Sequence, residues 1–163
     1  MAKPDRASQK QSQSNYGYVA EARVDAALAR LCEKGMVHFW FRANRIIDGE
    51  GGVDHIFGVM KPKFRVWVLQ ISCGKTKRRT YYRKVFCTDP ALFKKRYYRR
   101  HYHRYIPLLA VTARLSDVKL QRKIMAISRM FSSIFENPHC PDYLKVLLKD
   151  FLAANGVMPP ERI

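Results

Sequence analysis

Three polar side chains lie in otherwise apolar stretches of this sequence, and they are of the types that bind a hard cation. Glu21 lies at the edge of an apolar helical stripe, Asp54 opens a strand pattern directly after two glycines, and Gln70 lies inside a strand pattern. A buried polar group without a partner costs about 1–3 kcal/mol, so these oxygens need one. Carboxylate and amide oxygens are hard ligands that suit Mg²⁺. We therefore expect Glu21, Asp54 and Gln70 to form a Mg²⁺ site.

Each of the three residues also has a purely structural interpretation. Glu21 alone is typical of a solvated helix face, and Asp54 alone is typical of a turn or strand start beside glycines. Gln70 is harder to explain in that way, because an amide is disfavoured in the middle of a strand rich in Val and Leu. The prediction of a metal site rests on the order of the three residues along the chain.

The elements that must position these residues follow from the spacing of apolar side chains. Residues 17–34 carry them at helical spacing, and a glycine follows, as is typical of a helix end. The next segments are aromatic and β-branched, which predicts strands. The three strands are expected at residues 36–46, 53–60 and 64–73, with a turn or flexible loop at 48–52. In the third strand, Gln70 and Ser72 share a face with Val66 and Val68.

The second half of the sequence predicts a further strand and three helices. Asp89 and Pro90 suit an N-cap and a first helical residue, so a helix is expected from there to about residue 105. The other expected elements are a basic loop at 74–84, a strand at 108–112, and helices at 116–135 and 141–155. Short connections favour an antiparallel meander of three strands, which the fourth strand joins by a crossover. The predicted fold is α/β, with helices on both faces of the sheet.

Positive charge is the strongest feature of the composition. The chain has 31 Lys and Arg against 13 Asp and Glu, a formal charge of +18. Residues 61–105 hold 15 basic residues and one acid, Asp89. A surface that is merely solvated usually mixes the two signs, so this surplus favours a polyanion, nucleic acid. The side chains expected to bind it are Lys75, Lys77, Arg78, Arg79, Arg83, Lys84, Lys94, Lys95, Arg96, Arg99, Arg100 and Arg104.

Other features argue against several classes of protein. No apolar run approaches the roughly 20 residues that cross a bilayer, and the polar N-terminus lacks the apolar core of a signal peptide. The four cysteines form no C-x-x-C pair, so we expect reduced thiols in a cytoplasmic protein. His101 and His103 could ligate metal, but between arginines they fit better as part of the basic surface. The expected organisation is a flexible leader (1–15), a core (16–115) and a helical extension packed on it (116–163).

The sequence around the three polar residues resembles a known family. The helix GYVAEARVDAALARL with Glu21, the strand opening at Gly52-Val53-Asp54, and VWVLQIS followed by Gly74-Lys75 are similar to the PD-(D/E)XK nuclease superfamily. Within it, the layout of residues 16–113 is most similar to the archaeal Holliday-junction resolvases and Mrr-like nucleases. The resemblance implies a restriction-endonuclease-like αβββαβ core, a central mixed sheet flanked by helices, with two additional C-terminal helices.

The resemblance also implies roles for individual residues. In the family the third strand carries an acid and, two residues later, a lysine; here these positions are Gln70 and Ser72. Lys75 or Lys77 from the adjoining loop would replace that lysine, which helps to position the attacking water and offsets phosphate charge. The implied cofactor is Mg²⁺ or Mn²⁺, with no organic cofactor. The implied catalytic residues are Glu21, Asp54, Gln70 and Lys75.

Two functions follow from the resemblance and the charge. The first is a metal-dependent endonuclease of the resolvase type that acts on branched or distorted DNA, either as a monomer or as a homodimer. The second is a nucleic-acid-binding protein on the same fold that has lost catalysis. A third interpretation, a basic ribosome-associated protein, accounts for the charge but not for Gln70 in its strand. None of the three involves a membrane.

Overall fold

The computed structural model describes residues 6–72 and 105–161. This part of the chain forms a four-stranded sheet with helices packed on it. Among its helices, none combines the length and the apolar character needed to span a bilayer. The elements in chain order are α1 (Arg6–Glu33), β1 (Phe39–Arg42), α2 (Arg45–Gly51), β2 (His55–Val59), β3 (Arg65–Ser72), β4 (Leu108–Ala110), α3 (Asp117–Met130) and α4 (Asp142–Ala154).

Helix α1 is held against the sheet by one apolar stripe, which includes the fully buried Val24 and Leu31. It ends at Gly35, whose φ of 70° lies in the left-handed region, and the amide of Met36 donates to the carbonyl of Leu31 at 3.0 Å. These are features of a Schellman cap. The predicted end of the helix is therefore confirmed. Its start is not where we expected it, because the helix begins at Arg6 and includes most of the segment assigned to a flexible leader.

The sheet has the strand order β1-β2-β3-β4. Strands β1, β2 and β3 pair antiparallel, whereas β4 runs parallel to β3, with Gln70 opposite Leu108. The predicted meander and the predicted fourth strand are both confirmed. Strand β4 pairs with the last three residues of β3, from Gln70 to Ser72. The helix predicted from Asp89 to about residue 105 lies outside the described residues.

Alternate residues of β3 contribute to two separate apolar cores. Trp67 and Leu69 pack on the side covered by α1 and α3, which we call the α1 face. Val66 and Val68 pack on the opposite side against α4, which we call the α4 face. The α/β class with helices on both faces of the sheet is therefore confirmed. The alternation also assigns Gln70 and Ser72 to the α4 face.

Residues 45–51 form helix α2, where we expected the end of a strand and a turn or flexible loop. The side chain of Asn44 accepts a hydrogen bond from the amide of Ile47 at 2.9 Å, which caps the first turn. Gly52 closes the helix with a φ of 63°, and its amide donates to the carbonyl of Asp48 at 2.8 Å. Ile47 is buried in the core of the α4 face. The cap at Asn44 and the burial of Ile47 hold this segment in a helix, although its two isoleucines favour a strand.

Helix α3 starts at its predicted cap, Ser116, but ends at Met130 instead of about residue 135. The reason is a requirement of β3. The amide of Val66 donates to Oγ of Ser133 at 3.0 Å, and the carbonyl of Val66 accepts from the amide of Ile134 at 2.7 Å. The chain must leave the helix to make these bonds. Helix α4 lies within one residue of its predicted bounds at each end.

The position of Gly58 in β2 generates a prediction about stability. A Cβ at this position would collide with the carbonyl oxygen of Arg65 and the ring of Phe39, neither of which can move freely. We expect Gly58→Ala to lower the free energy of unfolding by about 1–3 kcal/mol or more, as overpacking does. Gly17→Ala is the matched control, because a Cβ there meets nothing within 4 Å. Alanine within helix α1 should stabilise by about 1 kcal/mol. Urea unfolding of both variants measures the two effects, and equal effects would contradict the argument.

Candidate nucleic-acid interface and metal site

Asp54 and Gln70 lie side by side where β2 begins. His55 pairs with Leu69, so the register extended by one residue places Asp54 opposite Gln70. The amide of Asp54 donates to the carbonyl of Leu69 at 2.8 Å, and its carboxylate Oδ2 accepts from the amide of Ile71 at 2.5 Å. The side chain of Asp54 therefore contacts the peptide group that joins Gln70 to Ile71. Two of the three predicted metal ligands are neighbours in the structure.

The donor chemistry of this pair fits a hard cation. Asp54 and Gln70 are both partly buried and offer carboxylate and amide oxygens. Mg²⁺ is commonly held by one or two protein oxygens, with water and phosphate oxygens at the remaining positions. Asp54 and Gln70 are therefore the residues that would hold such an ion. Within the described residues, no group of three or more His, Cys, Asp or Glu side chains is arranged around a common metal position.

The carboxylate of Glu21 is directed to a different partner. Its Oε2 lies 3.3 Å from Nη1 of Arg42, a residue of β1 that also binds Asp25. His55, which follows Asp54, faces α1, since its ring bonds to Asp25; alternation then directs Asp54 away from α1. The structure thus brings together Asp54 and Gln70 and engages Glu21 with Arg42. Metal binding by all three residues stays a prediction.

Arg42 is the centre of a group of charged side chains that joins α1 to the first two strands. We call Glu21, Asp25, Arg42 and His55 the Arg42 cluster. The guanidinium donates to both carboxylate oxygens of Asp25, over distances of 2.5–3.1 Å. Oδ1 of Asp25 lies 2.6 Å from Nε2 of His55, whose side chain is fully buried. The cluster therefore fixes the helix against the residue that follows Asp54.

The protonation states of the Arg42 cluster follow from burial and pairing. Burial raises the pKa of Asp25, but hydrogen bonds from Arg42 and His55 outweigh it and leave the pKa below its ordinary value. Burial lowers the pKa of His55, although the carboxylate of Asp25 acts in the opposite direction. A neutral His55 that donates from Nε2 to the ionised Asp25 fits both directions. Nδ1 of His55 is buried and has no hydrogen-bond partner among the described residues.

Our sequence analysis missed Asp25, Arg42 and His55. Two weak signals were present: Asp25 follows Glu21 by four residues, the spacing of neighbours on a helix face, and a histidine opens the otherwise apolar HIFGV strand. Neither signal identifies Arg42 as the partner. That pairing depends on the contact between α1 and β1 in the folded chain.

The predicted nucleic-acid-binding side chains, Lys75 to Arg104, lie outside the described residues, and so does the predicted catalytic Lys75. The two ends of this segment are described. It leaves β3 after Ser72 and returns at Tyr105, and the amide of Gln70 donates to the carbonyl of Pro107 at 3.1 Å. Residues 73–104 hold twelve Lys and Arg and a single acid. Both ends of this cationic segment are therefore anchored close to Gln70 in the sheet.

Comparisons with known proteins identify no relative. No protein-family model, no curated protein and no solved structure matches this chain at a significant level.

The Arg42 cluster generates a prediction about folding. Asp25→Ala leaves Nε2 of the buried His55 without its acceptor and removes the carboxylate that pairs with Arg42. We expect a loss of about 2–3 kcal/mol in the free energy of unfolding, because a buried polar group is left unsatisfied. Urea unfolding followed by tryptophan fluorescence measures it.

Asp117→Ala is the matched control for that substitution. Asp117 also pairs with an arginine, Arg23, but at 3.4 Å and with 65 % of its side chain exposed. An exposed pair contributes about 0–1 kcal/mol. If both aspartates cost the same when removed, the cluster is not a structural anchor.

Proposed function

We propose that this protein binds nucleic acid, with DNA as its ligand, at the end of the sheet where β2 begins and β3 ends, beside Asp54 and Gln70. The observation that carries the proposal is the attachment of a segment with twelve cations and one acid to β3 and β4 beside these residues. A ligand that reaches Gln70 must come close to both ends of that segment. Phosphate groups are the ligand chemistry that such a cation density suits.

The arrangement of the elements supports the same proposal. A helix, three antiparallel strands and a fourth strand parallel to the third occur in this order, as in the restriction-endonuclease-like core. Asp54 precedes the second strand and Gln70 lies in the third, as in the PD-(D/E)XK pattern. On this core we expect DNA to be bound through its backbone and shape, because phosphate contacts carry no sequence information directly.

The binding proposal predicts a steep dependence on salt. Each neutralised phosphate of duplex DNA contributes about −0.9 to the slope of log K against log salt concentration. Reversing charge at Arg96, Arg99 and Arg100 with glutamate should weaken binding to all sequences alike and reduce the slope by about 3. Fluorescence anisotropy with labelled duplexes at several salt concentrations measures both quantities.

A matched triple variant distinguishes specific contacts from loss of total charge. Lys119, Arg122 and Lys123 lie on the exposed side of α3, and changing them to glutamate alters the net charge equally. We expect this control to change the slope much less. A flat salt response of the parent, or equal losses in both triple variants, would contradict a binding surface in residues 73–104.

Metal-dependent cleavage is a second candidate function, favoured by the position of Asp54 opposite Gln70. Bound Mg²⁺ would supply a nucleophilic water and offset charge on the scissile phosphate. Asp54 and Gln70 would hold the ion, and the main-chain bond from Ile71 fixes the orientation of the Asp54 carboxylate. Lys75 lies three residues beyond the end of β3 and would offset phosphate charge in place of the family lysine.

Asp54→Asn is the sharpest test of cleavage. Asparagine keeps an oxygen that can accept from the amide of Ile71, but it removes the only carboxylate of the pair. We expect any cleavage of four-way, flapped or single-stranded DNA in Mg²⁺ or Mn²⁺ to be slow and to be abolished by this change. Lys75→Ala should also abolish cleavage while barely changing affinity, since it removes one phosphate contact among many.

Gln70→Glu is the complementary test, because a second carboxylate should strengthen metal binding and raise the rate of cleavage. Ser72→Lys would complete the family pattern, but Ser72 is only 3 % exposed, so the single substitution is cleaner. Cleavage that survives Asp54→Asn would place the active site elsewhere. Absence of cleavage by both the parent and Gln70→Glu would leave binding as the function.

A further inference from the structure

A cleft at the opposite end of β3 from Gln70 holds two arginines that have no partner within the described part of the chain. It lies between the start of β3 and the end of α3, has a volume of about 480 Å³ and is lined by Arg65 and Arg129 together with several serines. Both arginines are exposed. Within the described residues, neither forms an ion pair or a side-chain hydrogen bond. Two cations are therefore presented to one open space.

The acid that lines the cleft does not cancel this charge. Glu136 is also part of its lining, but its carboxylate forms an ion pair with Lys63. The surplus in the cleft is therefore two positive charges. Guanidinium groups donate in a planar fork that matches the oxygens of a phosphate. The hydroxyl of Ser132 is an additional donor at the wall of the cleft, whereas that of Ser128 donates to the carbonyl of Met125 at 2.7 Å.

The wall of the cleft is held in place by bonds to β3. Ser133 and Ile134 bond to the main chain of Val66 at 3.0 and 2.7 Å. The indole Nε1 of Trp67 donates to the carbonyl of Phe131 at 2.9 Å. The chain that follows Arg129 is thus fixed to the strand that follows Arg65. A ligand would meet a site that is already formed.

The cleft and Gln70 lie along the same edge of β3. Val66 is bonded there by Ser133 and Ile134, and further along Gln70 is bonded by Pro107. Arg65 precedes Gln70 by five residues, which is about 17 Å along a strand. That span corresponds to about five base pairs at 3.4 Å per step of each strand. Arg65 lies on the α1 face and Gln70 on the α4 face, so a duplex of moderate length reaches both places by passing around this edge of the sheet.

We propose that the cleft of Arg65 and Arg129 binds a phosphate group and is a second contact for the backbone of a nucleic acid bound at Asp54 and Gln70. The identification of the ligand rests on the proposed function. Phosphate binding by the cleft does not rest on the proposed function, because free inorganic phosphate would present the same oxygens as a nucleic-acid backbone. The two sources are separated by the experiment.

The test compares two double variants with equal charge change. Arg65→Gln with Arg129→Gln removes the cleft cations, whereas Lys119→Gln with Lys123→Gln removes exposed cations of α3 that do not line the cleft. Affinity for a duplex of about 20 base pairs should fall by one to two orders of magnitude in the cleft variant, and its salt slope should decrease by about 2. The control should stay close to the parent. Circular dichroism checks that both variants are folded.

A second arm uses inorganic phosphate as the probe. Phosphate should raise the Tm of the parent and of the control variant more than that of the cleft variant. If phosphate has this effect but the parent binds no duplex, the cleft is a site for free phosphate. That outcome would overturn the proposed function and leave the cleft as a phosphate site. Duplex affinity and a phosphate-dependent Tm that are the same in both double variants would overturn the cleft.

Discussion

A buried central strand must have its main-chain N–H and C=O groups bonded along both edges, and β3 is that strand here. On one edge, β2 supplies the hydrogen-bond partners as far as the pair of His55 and Leu69. Beyond that pair, the carboxylate of Asp54 accepts from the amide of Ile71. On the other edge, residues 133–134 bond to Val66, and β4 begins only at Gln70. The position of Asp54, the end of α3 and the return of the chain at β4 all follow from this requirement.

The parts of this fold that could be predicted are those in which a local pattern and the tertiary structure agree. The stripe around Val24 and the alternation through β3 have unambiguous periods, and Ser116 and Gly35 mark helix ends by their own chemistry. Helix α2 was missed because its isoleucines favour a strand and its Asp and Gly residues favour a turn, while the cap at Asn44 is visible only once the helix exists. The end of α3 could not be predicted, because it is set by Val66, a residue more than sixty positions earlier.

The candidate site divides in the same way. Asp54 and Gln70 stand out in sequence because they are polar residues in strand patterns, and β2 and β3 pair so that these two become neighbours. The Arg42 cluster combines side chains of α1, β1 and β2, and no spacing in the chain indicates which elements will meet. The positive charge is also distributed unevenly along the chain. The described residues hold 17 Lys and Arg against 11 Asp and Glu, whereas residues 73–104 hold twelve Lys and Arg against one acid. Several acids of the described part are engaged by cations within the fold, so the surplus lies mainly in one connection.

The division of β3's edge between two chain segments has a consequence for behaviour in concentrated solution. A long row of unpaired amides at the side of a sheet is a template on which another molecule can add a strand. In the described sheet, β1 has four residues and β4 has three, and the stretch of β3 before β4 is covered by residues 133–134. The outer rows available for strand addition are therefore short, and one of them ends at the charged Arg42. A sheet built in this way offers another molecule few unpaired main-chain groups on which to add a strand.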